Sequence, residues 1–198
     1  MKKLHVIGVM LIAAVAFSAL GGSAVAAEWL LDGSPIATAT AATTEGNVVL
    51  EADGLGAGVE CHVVATGTVG PGAADEVKTV AFSGCVKLGN CSTFDSVAAV
   101  NLPWKTEVLL VNGKWFDDLT QGPGAAGAPG YLVECLVGFL LADNVCKKAE
   151  AKVELVNLAT DVEDLFNTEE EAECTTGGPG LVHGAQLTFV AGHTLQES

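Results

Sequence analysis

The sequence predicts an all-β fold, either an antiparallel β-sandwich or a partly closed barrel, stabilised by disulfides. Apolar residues alternate with polar ones or come in short bursts between turn residues, a pattern typical of strands. The pair Asn112-Gly113 separates two apolar runs and is the most specific short-range signal for a β-hairpin. Six cysteines, an even number in a chain with an export signal, indicate disulfides rather than free thiols.

The start of the chain has the three parts of a secretory signal peptide. A basic start, Met1 to Lys3, precedes an apolar run from Val6 to Leu20, and small residues follow as far as Ala26. The run is shorter than the roughly 20 residues that a spanning helix needs. We therefore expect a signal peptide over residues 1–26, cleaved after Ala26 or Ala27, and a single exported β-rich domain over residues 27–198. No later segment is long and apolar enough to span a bilayer, so the predicted localisation is secreted or cell envelope.

The strands of this domain follow from the alternation and the turns. Gly58–Val69 is the longest strand candidate, the turn at Pro71–Asp75 follows it, and Glu76–Ser83 returns. The pair Asn112-Gly113 then joins Thr106–Val111 to Lys114–Asp118 in a hairpin. The further strand candidates are Trp29–Leu31, Asn47–Ala52, Ser96–Leu102, Tyr131–Val137, Lys152–Ala159 and Leu181–Ala191.

Four segments depart from this pattern. Gln121–Gly130 is rich in Gly and Pro and is predicted as a loop. The Thr-Ala run Ala37–Thr44 has little apolar bulk and is interpreted as a flexible surface segment or an edge strand. A short helix is placed at Ala142–Ala151 or at Val162–Phe166.

The six cysteines allow many pairings, and their spacing favours one scheme without excluding others. Proximity joins Cys135 to Cys146 and joins Cys85 to Cys91 across a short loop, which leaves Cys61 for Cys174. The alternative joins Cys61 to Cys85, because both lie at nearly the same distance from the turn at Pro71–Asp75 and would face each other across a hairpin. A zinc site is disfavoured because the chain has no C-x-x-C motif.

The charge of the chain excludes several classes of partner. The sequence has 24 acidic and 9 basic residues, a net charge of −15, and no arginine. All the acids lie from Glu28 onward, whereas Lys2 and Lys3 lie in the predicted signal peptide, so the exported part is more acidic still. Such a surface repels phosphate, which argues against nucleic acid and anionic membranes as partners. The partner is otherwise unknown, with cell-wall or glycan contact as the remaining candidate.

Several segments resemble those of small exported proteins of actinobacterial type. They are Glu28–Gly33, Val59–Cys61, Gly67–Gly70 and Asn101–Glu107, together with the spacing of the later cysteines and the stretch that begins at Cys174. The resemblance covers most of the exported part. It implies secretion and a β-fold, and it implies no particular activity.

Motifs that would carry catalysis or metal binding are weak. Gly122–Gly127 matches G-x-G-x-x-G, but no strand and helix flank it as a nucleotide site requires. His62, His183 and His193 lie near no nucleophile motif, and H-E-x-x-H is absent. The acidic window Asp161–Glu173 lacks the alternation and the glycine of a calcium loop, so we interpret it as a solvated acidic loop, with calcium binding as the alternative.

The tryptophans complete the set of candidate functional residues. Trp104 and Trp115 are candidates for stacking on a sugar if they are exposed, although burial in the core is the usual fate of large aromatic residues. The sequence predicts no catalytic residues, no metal site and no cofactor. It favours a non-enzymatic exported binding or structural protein. The alternatives are an extracellular hydrolase with an unrecognised site, or a carbohydrate- or calcium-binding module.

Overall fold

The computed structural model describes residues 25–138, 140–158, 162–166, 172–176, 179–188 and 193–197. The predicted signal peptide therefore lies outside the described residues, apart from Val25 and Ala26 at its end. Those two residues begin the first strand and pair with Leu110 and Leu109. Within the described ranges, no helix has the length and hydrophobicity of a transmembrane span.

The predicted all-β fold is confirmed. Every pairing between described strands is antiparallel, and a 3₁₀ turn at Asp53–Leu55 interrupts the strands. The strands are β1 Val25–Leu31, β2 Ser34–Pro35, β3 Thr40–Ala52, β4 Ala57–Val69, β5 Ala74–Gly89, β6 Cys91–Val100, β7 Trp104–Val111, β8 Lys114–Gln121, β9 Gly130–Val137, β10 Leu140–Lys147, β11 Glu150–Asn157, β12 Val162–Phe166, β13 Ala172–Cys174, β14 Pro179–Thr188 and β15 His193–Glu197.

Four long strands, β14, β3, β4 and β5, form the middle of a strongly curled sheet. At one end, β7 pairs with the first residues of β5, and β8, β11 and β12 follow in order. β12 then pairs with the last part of β14, which itself pairs with β3, so these eight strands close into a ring. This end of the molecule is a closed ring of strands, in agreement with the predicted barrel rather than with a sandwich.

The other end of the long strands carries a second arm of the sheet. β13 pairs with the first residues of β14, and β10, β9 and β6 continue outward from it. Strand β6 is the last of this arm and follows β5 through a turn in which the Asn90 N–H donates to the Gly56 carbonyl at 2.8 Å. The arm curls over the ends of β3 and β4 and covers this end, and among the described residues its pairings do not close into a ring.

Each end has its own hydrophobic cluster, because alternate residues of every strand face inward. The cluster under the curled arm joins Val48 and Val59 of the long strands to Tyr131 and Val133 of β9. The cluster in the ring contains Trp29 of β1 and four apolar residues that are buried around it, Val69, Val108, Leu155 and Val162.

Two expectations about local structure are wrong. Neither candidate helix exists. Ala142–Ala151 lies mostly in β10, which pairs along its whole length with β9, and Val162–Phe166 is strand β12. The Thr-Ala run Ala37–Thr44 is exposed as far as Ala39 and enters β3 at Thr40. Among the described residues, Thr40–Thr43 pair with β4 alone and only Thr44 also pairs with β14, so the expectation of a surface or edge segment is not contradicted. In both candidate helices, pairing with neighbouring strands outweighs the local preference of the sequence.

The three disulfides join Cys61 to Cys85, Cys91 to Cys135, and Cys146 to Cys174. The scheme favoured by proximity, with the bonds Cys135–Cys146, Cys85–Cys91 and Cys61–Cys174, is therefore wrong. The alternative bond between Cys61 and Cys85 is present. Each bond links two strands that pair side by side: β4 with β5, β6 with β9, and β10 with β13.

Candidate functional site

A predominantly apolar cavity of about 220 Å³ lies inside the curled sheet, between the two clusters. Its walls come from the long strands, from the ring and from the curled arm. The apolar side chains that line it include Val48, Leu50, Val63, Val80, Phe82 and Phe166.

Small residues on the inner face of two long strands leave room for this cavity. Ala42 and Thr44 of β3 line it, as do Ala65 and Gly67 of β4. Larger side chains at these positions would fill the space between the sheet walls, since well-packed interiors contain few voids. Within the Thr-Ala run, the small side chains of Ala42 and Thr44 therefore leave room for the cavity.

Three aspartates project from the ring into the same cavity: Asp75 of β5, Asp117 of β8 and Asp164 of β12. Residues directly opposite each other on paired strands share a face of the sheet. The cross-strand partners of the three aspartates are interior residues: Thr106 opposite Asp75, Val108 and Val153 opposite Asp117, and Leu155 opposite Asp164. The three carboxyl groups therefore lie on the inner wall of the barrel.

Asp75 is held by two hydrogen bonds. The Trp29 indole Nε1–H donates to its Oδ2, and the Gly70 backbone N–H donates to its Oδ1 at 3.0 Å. Burial raises the pKa of Asp75 from 3.8 to about 8, and repulsion from the Asp117 carboxylate acts in the same direction, although both hydrogen bonds favour the ionised form. Both oxygens of this carboxyl group are thus engaged by the protein.

Asp117 has one oxygen that the protein does not engage. It accepts hydrogen bonds from the Thr106 side chain and from the Glu107 backbone. Its Oδ1 is buried and has no hydrogen-bond partner among the described residues. Burial, together with repulsion from the neighbouring Asp118 carboxylate, raises the pKa of Asp117 from 3.8 to about 7, although the two hydrogen bonds favour the ionised form.

Asp75, Asp117 and Asp164 together form an acid cluster, to which Asp164 contributes from β12. Burial raises the pKa of its carboxyl group well above 3.8, and the carboxylates of Asp117 and Glu163 add to the effect. The carboxyl groups of Asp75, Asp117 and Asp164 are therefore all harder to ionise than a free aspartate.

Among the residues that the structure describes, no three His, Cys, Asp or Glu side chains are grouped closely enough to hold a metal ion. Two lysines, Lys148 and Lys152, also line the cavity, and Lys152 forms an ion pair with Glu150 at 3.3 Å. The cavity is therefore an apolar chamber with carboxyl groups on part of its wall.

The structure places the two candidate stacking residues in different surroundings. Trp104 lines the cavity, and its Nε1–H donates to the Val100 carbonyl at 2.9 Å. Trp115 is partly buried and packs against the cluster in the ring. Their role in binding a sugar stays a prediction.

Of the other candidate sites, only the acidic window contributes a described residue to the wall of the cavity. Gly122–Gly127 is a loop. His62 pairs with Glu45 at 2.9 Å on the outer face of the long strands, while the side chains of His183 and His193 lie outside what the structure describes. The acidic window is only partly described, and there the expected solvated loop is wrong, because Asp164 lies on strand β12 and lines the cavity.

Comparison with known proteins identifies a family from the first part of the chain. Residues 1–118 match the family described as alkane oxidation protein activator PraA/PraB-like, a segment that contains Asp75 and Asp117. No curated protein and no solved structure matches the chain. The actinobacterial resemblance is not confirmed by these comparisons. Because the matched segment is more than half of the 198 residues, the chain belongs to the alkane oxidation protein activator PraA/PraB-like family.

Proposed function

We propose that this protein is an exported, non-enzymatic accessory protein that binds a small apolar molecule inside its barrel. The observation that carries the proposal is the cavity of about 220 Å³ between the two hydrophobic clusters. Ligand sites are typically concave and mostly apolar, with a few polar groups that orient the ligand. The cavity combines an apolar wall with three aspartates at one end.

The size of the cavity limits the size of the ligand. An apolar cavity of roughly 150 Å³ holds a molecule the size of benzene. By the same proportion, a volume of about 220 Å³ accommodates about eight or nine carbon atoms. A hydrocarbon chain of medium length meets this limit, whereas a polymer such as a glycan does not.

The family description supports the same class of ligand. It associates relatives of this chain with the activation of alkane oxidation. Alkanes dissolve poorly in water, so a protein that carries one in an apolar interior would raise the amount available to an oxidising enzyme. An accessory role of this kind requires binding and release and requires no catalytic group in the accessory protein.

Export is part of the proposal. The first 26 residues have the features of a signal peptide, and the three disulfides are of a kind that persists in oxidising compartments. We expect the mass of the protein recovered from the envelope or the medium to correspond to a chain that begins at Ala27 or Glu28. Recovery from the cytoplasm with Met1 to Ala26 still attached would contradict this part of the proposal.

Binding is tested with octane and a pair of variants on one strand. Ala65 lines the cavity, and Val64 is the next residue toward the N-terminus, on the opposite face of β4. We expect the oxidised protein to take up octane, as measured by headspace partition. Ala65→Phe should weaken uptake by at least about tenfold, because the ring occupies the cavity, whereas Val64→Phe should leave it unchanged. No uptake by the unaltered protein, or equal uptake by both variants, would reject the proposal.

A further inference from the structure

The curled sheet has an open edge along most of β5. Strand β4 pairs with one side of β5, whereas on the other side β7 pairs only with Ala74–Val77. Among the described residues, no strand pairs with that second side from Lys78 to Gly89. The backbone N–H and C=O groups that point outward along such an edge are available to a strand of another molecule.

Two irregularities divide this edge and leave one regular segment between them. The register between β4 and β5 shifts at Lys78 and again at Gly84 and Cys85. Such irregularities bend a strand, and lysines on an edge discourage pairing. Between them, Thr79–Ser83 pairs with β4 without a shift and contains no charged residue, no proline and no glycine. This segment is therefore the part of the edge best suited to accept another strand.

The side chains of this segment divide between the two faces of the sheet. Val80 and Phe82 line the cavity. Thr79, Ala81 and Ser83 are exposed. If a two-fold axis passes beside Ala81, a second copy of the segment runs antiparallel to the first, and Thr79 of one copy lies opposite Ser83 of the other. Val80 then lies opposite Phe82, and because opposite residues share a face of the sheet, the segment is complementary to itself.

Charge also favours this edge as the place where two copies meet. The chain has a net charge of −15, so two copies repel each other over most of their surface. Residues 77–94 contain two lysines and no acidic residue. In the antiparallel arrangement, the end of β5 that carries Lys87 lies nearest to the end that carries Glu76 in the other copy, so unlike charges flank the paired segment.

We propose that two copies of this protein associate through Thr79–Ser83, with their β5 edges paired in antiparallel register about Ala81. An interface of this kind uses the same surface on both copies, so association stops at the dimer. The contact is small, and small interfaces are weak, so we expect a dissociation constant of roughly 0.1–1 mM. The dimer does not depend on the ligand of the cavity.

Sedimentation equilibrium of the unaltered, oxidised protein tests the association. In about 0.15 M salt, which screens part of the net charge, we expect monomer to convert to dimer, and to nothing larger, as the protein concentration rises to about 1 mM. Monomer alone over this range would overturn the proposal. Growth into a series of larger species would also overturn it, since that result indicates head-to-tail pairing of two different edges.

Two variants at the two-fold axis assign the contact to β5. Ala81 of one copy lies opposite Ala81 of the other, so Ala81→Glu and Ala81→Lys each place like charges face to face. Either variant alone should weaken the dimer by at least about tenfold. An equal mixture of the two should form a one-to-one dimer, because unlike charges then face each other. A mixture that stays monomeric, or a dimer that survives in both single variants, would refute the proposal.

The control places the same charge on the other free edge of the described sheet. Ala98 is an exposed residue of β6, which pairs with β9 on one side and with no described strand on the other. Ala98→Glu should leave the dimer unchanged. Loss of the dimer in this variant would assign the contact to β6 and contradict the proposal.

Hydrogen exchange gives an independent readout on the unaltered protein. The amides of Thr79–Ser83 should exchange more slowly at a protein concentration that favours the dimer than at one that favours the monomer. Exchange of this segment that does not change with concentration, in a sample that sediments as a dimer, would place the contact elsewhere and overturn the proposal.

Discussion

The indole Nε1–H of Trp29 donates a hydrogen bond to Oδ2 of Asp75, and this bond ties the first strand to the acid cluster. Trp29 is 4% exposed and belongs to the hydrophobic cluster in the ring. Its ring thus packs among apolar side chains while its polar edge reaches a carboxyl group of the cavity wall. One residue connects the packing of the ring with the electrostatics of the site.

Trp29→Phe tests this connection. The variant keeps an aromatic ring but loses the donor, which should lower the free energy of unfolding by about 1–3 kcal/mol. The loss should be larger at pH 9 than at pH 5, because the missing bond stabilised the ionised form of Asp75, whose pKa of about 8 would rise further. Urea unfolding at both pH values measures the effect.

Trp104→Phe is the control for this prediction. Trp104 donates to the Val100 carbonyl, four residues away, and not to a carboxyl group. Its loss of stability should be the same at pH 5 and pH 9. If the effect of Trp29→Phe were equally independent of pH, the hydrogen bond to Asp75 would not be the source of its stability.

The acid cluster should make the protein less stable as the pH rises. The carboxyl groups of Asp75, Asp117 and Asp164 have raised pKa values in the folded protein, with burial as the main cause. Between pH 4 and pH 8 the unfolded chain therefore binds fewer protons at these positions than the folded one. The free energy of unfolding falls through this window, by at most about 1.4 kcal/mol per pH unit for each group.

Two variants distinguish the effect of the acid cluster on the pH dependence of stability from the effect of the other acids. Asp164→Asn removes one of the three titrating groups, so the fall in stability between pH 4 and pH 8 should be shallower. Asp143→Asn removes an exposed acid of β10 and should leave the slope unchanged. Chemical denaturation at several pH values gives the slopes, and equal slopes for the two variants would show that Asp164 is ionised in the folded protein.

Local signals were enough to predict much of the fold. The hairpin at Asn112-Gly113 is present, with Val111 opposite Lys114, and the longest predicted strand corresponds to β4. The loop between β8 and β9 also matches the prediction. These features depend on turn chemistry and alternation, which are read directly from neighbouring residues.

The cysteine pairing could not be predicted in the same way, because it depends on strand register. On β9 and β10, Cys135 lies opposite Ala142, and Cys146 lies opposite Tyr131. The two cysteines are thus several residues apart along the strands, and no bond can form between them without moving the backbone. Closeness in sequence did not reveal this offset.

The acid cluster also could not be predicted from the sequence. Asp117 and Asp118 are neighbours on β8, and nothing in their identity shows which of them faces the interior. The answer follows from the pairing of Asp117 with Val108, a fully buried residue of β7. The cluster exists only because the curled sheet brings β5, β8 and β12 around one space.

Disulfide mapping tests the register that underlies the cavity. Digestion of the unreduced protein after lysine and acidic residues separates Cys135 from Cys146, because Asp143 lies between them. We expect linked peptides for Cys61–Cys85, Cys91–Cys135 and Cys146–Cys174. A peptide linking Cys135 to Cys146, or Cys61 to Cys174, would contradict the pairing of these strands.

The central claim is that the interior of the barrel binds an apolar molecule. The most direct measurement is the nuclear Overhauser effect between protons of bound octane and the valine and leucine methyl groups. We predict contacts to Val63, Val80 and Val182, which line the cavity. Contacts confined to Val86 and Leu158, which are 59% and 41% exposed, or no contacts at all, would contradict it.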